Sequence, residues 1–216
     1  MVEKNNTNNN IPNILQEIVV YLQKEKVTFS KRFADGRINS SINEDEIIKI
    51  LKKKFDIIVP KSRAWYDFAI QIKTEFYPVN IKVTDTTHAD NLNCKLGIYY
   101  ALTGLIPDFP NEINWLSYFE KMKENLATKK DKDYYFLICN KKDEKDVFIN
   151  TLKGLQKLQP NGNNLPFQCR WDENRDSKNR TLKQAEKFIL TTFGESIKLR
   201  AEIYFNFKRL FSDYVL

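Results

Sequence analysis

The chain has 216 residues, 42% of them apolar, with 35 Lys and Arg against 28 Asp and Glu for a net charge of +7. That is enough apolar material for one domain with a proper core. No apolar run of about 18 residues occurs, which excludes a membrane-spanning helix. The positive excess permits a polyanionic partner without requiring one, because runs such as Lys52-Lys53-Lys54 read first as solvated helix faces.

The N-terminal "MVEKNNTNNN" is polar and Asn-rich, so residues 1–10 are expected to be disordered and carry no secretion signal. Ile11, Ile14, Leu15, Ile18, Val19 and Leu22 recur at helical spacing and predict an amphipathic helix over 12–24. "KRFADGRINSS" reads as a loop. Ser41-x-x-Glu44 reads as a capping box opening a helix to about Phe55, with Ile47, Ile48, Leu51 and Phe55 as its apolar stripe. Glu44 falls in the middle of that stripe, which is unusual for a carboxylate.

"WYDFAIQIKTEFYPVNIKVTDTT" predicts two strands joined by a short turn. Phe68, Ile70 and Ile72 share one face of the first, Asp67, Ala69 and Gln71 the other. In the second, Tyr77, Val79, Ile81 and Val83 oppose Asn80, Lys82 and Thr84. "HADNLNCKLGIYYALTG" reads as a helix from about Asn91 to Thr103, stopped by Gly104. A Pro-punctuated loop leads to a helix near 112–126. "DYYFLICN" predicts a buried strand, and "DVFINTL" and "FQCRWDE" weaker ones around a "QPNGNNLP" loop. The tail from about Thr181 to Tyr214 predicts helix, interrupted near Gly194. Strands flanked by helices in this order predict an α/β layered domain with a mixed sheet.

Several chemistries are disfavoured. His88 is the only histidine, which argues against Ser-His-Asp catalysis, multi-His zinc sites and ββα-metal nucleases. Cys94, Cys139 and Cys169 are odd in number and form no CxxC, so they read as buried free thiols in a reducing cytoplasm. Neither a P-loop nor a GxGxxG motif occurs, so no nucleotide cofactor is expected. "GIYY" (Gly97 to Tyr100) has no partner motif and sits in a helical pattern.

What remains is Glu44, then Asp67, then Asn80-Ile81-Lys82. Each residue alone reads as ordinary: Asp67 as a strand-end carboxylate, Asn80 and Lys82 as solvent-facing, Glu44 as the partner of Ser41. Together they offer a chemistry. Mg²⁺ takes oxygen ligands, which Asp67, the Asn80 side-chain carbonyl and the Ile81 backbone carbonyl can supply. Lys82, on the same strand face as Asn80, can hold a phosphate or the attacking water. Glu44 can make up for the missing second carboxylate.

This pattern resembles the type II restriction endonucleases with the PD-(D/E)xK core, on their EcoRV and HincII branch. The resemblance rests on "YDFAIQIKTEFYPVNIKVT", on "ADNLNCKLGIYYALTG" and on the run from "CRWDENRDSKNR" through "FKRLFSDYVL". It spans most of residues 40–216, with a short core motif. The departure is Asn80 where the family usually has an acid; some members naturally carry Asn there, and an Asp→Asn exchange is the other reading. The resemblance implies a restriction-endonuclease-like core with catalytic Glu44, Asp67, Asn80 and Lys82, and Mg²⁺ on Asp67, Asn80 and Ile81. It implies a single domain over 11–216, with the catalytic core at about 40–140 and the DNA-recognition part and closing helices at about 141–216. The activity implied is sequence-specific cleavage of double-stranded DNA to 5′-phosphate ends, in a restriction–modification system. A repair nuclease and a non-catalytic DNA-binding protein are the alternatives.

Base readout needs side chains such as Arg to guanine and Asn to adenine. The loop 171–180 offers Asn174, Arg175, Ser177, Lys178, Asn179 and Arg180, with "NGNN" (Asn161 to Asn164) second. Thr84, Thr86, Thr87 and Lys95 follow the catalytic strand and are candidates for phosphate contacts. Cutting both strands of a palindrome implies a homodimer, with the 12–24 helix a candidate interface.

Overall fold

The computed structural model describes residues 11–25, 36–61, 64–110 and 112–214, with side chains in the second helix from 42 onward. The segment 1–10 expected to be disordered, and residues 31–35 of the "KRFADGRINSS" loop, lie outside the described residues, whereas the rest of that expected loop, 36–41, is helix.

Four strands form a mixed sheet in the order β1-β2-β4-β5: β1 (Phe68–Ile72), β2 (Glu75–Thr84), β4 (Tyr135–Asn140) and β5 (Val147–Thr151). β1 and β2 form an antiparallel hairpin, turning at Lys73 with φ 52°. β2 and β4 run parallel and β4 and β5 antiparallel. The β2–β4 crossover contains a short strand β3 (Ala89–Leu92), then helices α3 (Lys95–Thr103) and α4 (Trp115–Asn125). A parallel pair needs such a crossover, because a tight turn cannot reverse the chain twice.

The alternation in β2 and β4 supplies two cores, one on each side of the sheet. Val79, Ile81, Tyr135, Leu137 and Cys139 pack against helices α1 (Asn13–Glu25) and α2 (Gly36–Leu51). Phe136 and Ile138 pack on the other side against α3, α4, strand β6 (Phe167–Arg170) and the start of α5 (Leu182–Leu210). Gly97 lets α3 approach the sheet, since a Cβ there would stand 2.7 Å from the Tyr134 ring. Cys94, Cys139 and Cys169 are all buried and free. The predicted mixed α/β architecture, with helices on both faces of the sheet, is the one observed.

Four local expectations need correction. α2 begins at or before Gly36, so Ser41 lies inside the helix and cannot open it. Residues 89–92 form β3, paired antiparallel with β6, and the helix starts only at Lys95; the Gly104 stop is correct, with φ 72°. α5 runs unbroken through Gly194, because its capping box (Thr181 with Gln184) and a continuous apolar face outweigh the cost of one glycine. Gly36–Ser41, expected as loop, are instead the opening turns of α2.

Candidate active site at the end of the first hairpin

Asp67 is the last residue before β1, and the ladder register sets it opposite Asn80. Its N–H still donates to the Val79 carbonyl at 2.9 Å. There the backbone ladder stops and the carboxylate takes over. Asp67 Oδ2 accepts the Ile81 N–H at 2.6 Å and Asn80 Nδ2 at 2.8 Å. Both bonds fall on Oδ2, which leaves Oδ1 as the oxygen to meet a cation. In a strand, a residue's N–H and C=O point to the same edge, so the Ile81 carbonyl faces Asp67's side of β2 as well.

Lys82, two residues on, shares the face of Asn80. Its Nζ donates to the Asn91 carbonyl at 3.2 Å and stands 3.8 Å from Asp90 Oδ1. Asp90 in turn accepts from Trp171 Nε1 at 2.9 Å. β3 therefore orients the lysine. Beside Asn80 and Lys82 lies a cavity of about 110 Å³, bounded by Trp65, Cys94, Tyr134 and Phe136. At about 30 Å³ each, three water molecules would fill it.

Glu44 reaches this place from α2. Its carboxyl is pushed up to about 7, first by burial and then by the charge of Asp67, with Lys82 pulling the other way. Burial also raises Asp67, against the Ile81 N–H and Lys82. A carboxyl whose ionisation is hindered by burial and by a neighbouring carboxylate is what a divalent cation relieves. Among the described residues no group of three His, Cys, Asp or Glu side chains forms a metal cluster. The oxygens that could serve a cation here are those of two carboxylates, an amide and a backbone carbonyl, the ligand types that Mg²⁺ takes.

The structure thus brings Glu44, Asp67, Asn80, Ile81 and Lys82 together. It treats the expected DNA contacts unevenly. Thr86 is buried, and its carbonyl accepts the Trp171 and Asp172 N–H groups. Asn174 is fully buried and holds the Lys157 N–H, the Lys157 carbonyl and the Arg170 carbonyl. Arg180 clamps the Lys153 and Leu155 carbonyls and stacks on Phe188 at 4.0 Å. Arg175 pairs with both oxygens of Asp146 at 2.6 Å and lies over Phe148. The Ser177 hydroxyl is buried without a hydrogen-bond partner. Asn174 and Arg180 thus close backbone groups of their own fold, as buried polar groups require, and Arg175 is taken up by Asp146. Lys178 and Asn179 remain exposed at the loop's tip. Half-buried Thr84 and exposed Thr87 stand at the end of β2, and Lys95 lies over the Trp115 ring at 5.0 Å.

Three residues beside Lys82 escaped the sequence reading: Asp90, Asn91 and Trp171. Only the pairing of β3 with β6 reveals them. The available signal was that Leu92 is the one large apolar residue between His88 and Lys95, too few for a helix face. The "NGNN" loop also lies nearer the site than expected. Asn161 Nδ2 donates to Asn91 Oδ1 at 2.9 Å, so this loop is tied to the residue that holds Lys82, and Asn163 and Asn164 are exposed.

A scan of the chain against protein-family models found no match, and neither did a comparison with curated proteins. Among the described residues, no helix is long and apolar enough to cross a membrane.

Proposed function

We propose that this chain is a Mg²⁺-dependent, sequence-specific double-stranded DNA endonuclease of the PD-(D/E)xK kind, acting in the cytoplasm as part of a restriction–modification system. The observation that carries the reading is the Asp67 carboxylate gripped by Asn80 and the Ile81 N–H, with Lys82 and the proton-retaining Glu44 beside it. Asp67, the Asn80 amide oxygen, the Ile81 carbonyl and Glu44 would hold the metal. Bound there, Mg²⁺ supplies charge neutralisation at the scissile phosphate and a more acidic water. Lys82, steered by Asp90 and Asn91, offers its ammonium to the phosphate oxygens and stabilises the charge that builds on them. The cavity beside Asn80 and Lys82 gives the nucleophilic water a place to wait. The +7 charge favours approach to a polyanion.

The test is incubation with unmethylated DNA, with and without Mg²⁺, beside an Asn80→Asp variant. Discrete Mg²⁺-dependent fragments from the unaltered chain support the proposal, and sequencing their ends reads out the specificity. Cleavage that survives in Asp67→Ala or Lys82→Ala protein overturns it. One observation favours a second reading. The Asn80–Asp67 hydrogen bond satisfies the carboxylate without a cation, as a binding protein with an inactivated site would. That reading expects fragments from Asn80→Asp alone, and binding by the unaltered chain that is indifferent to Mg²⁺.

A further inference from the structure

Helix α5 spans 29 residues, about 43 Å at 1.5 Å per residue. Its first half packs on the body through Ala185, Ile189, Thr192, Phe193 and Ser196. Arg200 makes the last tie, donating to the Gly162 and Asn163 carbonyls. From Ala201 to Tyr214 every residue is exposed. The helix thus leaves the body as an arm, and that arm is not polar. Ile203 is 56% exposed, Phe207 48% and Leu210 69%, and Leu199, Tyr204, Phe211 and Tyr214 are exposed as well.

These residues form one face. At 3.6 residues per turn, Leu199, Ile203, Tyr204, Phe207 and Leu210 fall within an arc of about 140°. Ala185, Ile189, Thr192, Phe193 and Ser196 fall within the same arc. The stripe that faces the core in the first half therefore continues in register into solvent. At its root the apolar surface carries on to α4, where exposed Leu116 and Phe119 neighbour Phe193, the Phe119 and Phe193 rings being 5.8 Å apart.

We propose that this arm is a self-association surface, covered by the same stripe of a second copy of this chain in a closed two-fold pair. Two features favour that occupant. Leaving out Phe205, which is 63% exposed but lies outside the stripe, the seven named apolar residues of the arm expose on the order of 800 Å², taking 150–250 Å² for a whole aromatic side chain. One partner contributes about 800 Å² to a standard protein interface, whereas the largest apolar patch on a monomer is about 300–600 Å². Charge points the same way. Between Ala201 and Tyr214, Glu202 and Asp213 balance Lys208 and Arg209, in a chain of net charge +7. A face for nucleic acid or anionic lipid would be basic. An isologous pair buries the stripe on both copies at once and leaves no second sticky surface to propagate.

The inference does not rest on the nuclease reading, and its test uses no DNA. Sedimentation equilibrium of the full chain at about 10–100 μM should give the mass of two chains. The double variant Ile203→Asp, Phe207→Asp should give the mass of one, with dimerisation weakened at least about 100-fold. Its thermal melt at low concentration should be unchanged, because both side chains are exposed on the arm, where the Phe207 ring meets Phe211 of the arm itself at 4.9 Å. A Phe207→Cys variant should be trapped as a two-chain product by a short bismaleimide, since the native cysteines are buried. An Asp67→Ala variant should keep the two-chain mass. A one-chain mass for the unaltered protein overturns the proposal, as does a two-chain mass that survives the double variant. Flotation of a one-chain species with phosphatidylglycerol vesicles would assign the arm to a membrane surface and overturn it equally.

Discussion

Two clusters of charged side chains were equally eligible from the sequence, and the structure treats them in opposite ways. Around Asp67 the charges are left in tension: Glu44 and Asp67 are half-buried and raised in pKa, and among the described residues Lys82 is the cation that acts on both. In the loop 171–180 the charges are matched. Arg175 has both oxygens of Asp146, Arg170 has Asp172, and Arg180 has three backbone carbonyls. Asp172 and Asp146 are correspondingly held below the usual carboxylate range, each first by its arginine. A matched pair stabilises the fold and has little left to offer a ligand. A mismatched group costs stability and can recover it by binding.

Substitutions can sharpen this contrast, and the largest effect belongs to the unmatched site. Asp67→Ala and Lys82→Ala are each expected to slow DNA cleavage by 10²-fold or more, the scale of one lost transition-state donor or ligand, with little change in melting. Single-turnover cleavage and a thermal melt on the same preparation check both halves. The mirror result belongs to Asn174→Ala, which leaves the Lys157 N–H and two carbonyls unpaired in a fully buried place. A loss of roughly 2–4 kcal/mol is expected in urea unfolding.

Glu44 is expected to move stability in the opposite direction. Its folded pKa lies above the unfolded one, so the folded state binds the extra proton between about 4.5 and 7. Stability from this group is therefore fully present below about 4.5 and is lost as pH rises to 7. Glu44→Gln should flatten that slope and stabilise the protein at pH 8 by on the order of 1–2 kcal/mol, a figure discounted for partial exposure. For the same reason Mg²⁺ should raise the melting temperature of the unaltered chain more at pH 8 than at pH 5.5, and Glu44→Gln should lose most of that rise.

Asp90→Asn should act through Lys82. About a tenfold loss of cleavage is expected, with substrate affinity little changed. A purely structural role for Asp90 would instead appear in the melt. The smallest effect is assigned to Lys178→Ala, at the exposed tip of the loop. If that tip reaches phosphate, the slope of log affinity against log salt should fall by about 1, uniformly across DNA sequences.

The sequence by itself determined the hairpin and its faces. Alternating Val79, Ile81 and Val83 against Asn80 and Lys82 needs only the two-residue period of a strand, and the helical stripes of α1 and α2 need only the 3.6-residue period. Asp67, Asn80 and Lys82 were legible for that reason: a hairpin register brings them together within 16 residues of chain. Glu44 was visible as an acid on an apolar stripe, but its approach to Asp67 depends on how α2 packs on β2. Asp90, Asn91 and Trp171 were decided by the tertiary structure alone, because β3 pairs with β6 from nearly 80 residues away. So was the fate of Asn174, Arg175 and Arg180. A polar loop residue reads the same whether it faces solvent or closes a buried backbone bond, and only the fold says which backbone groups need closing.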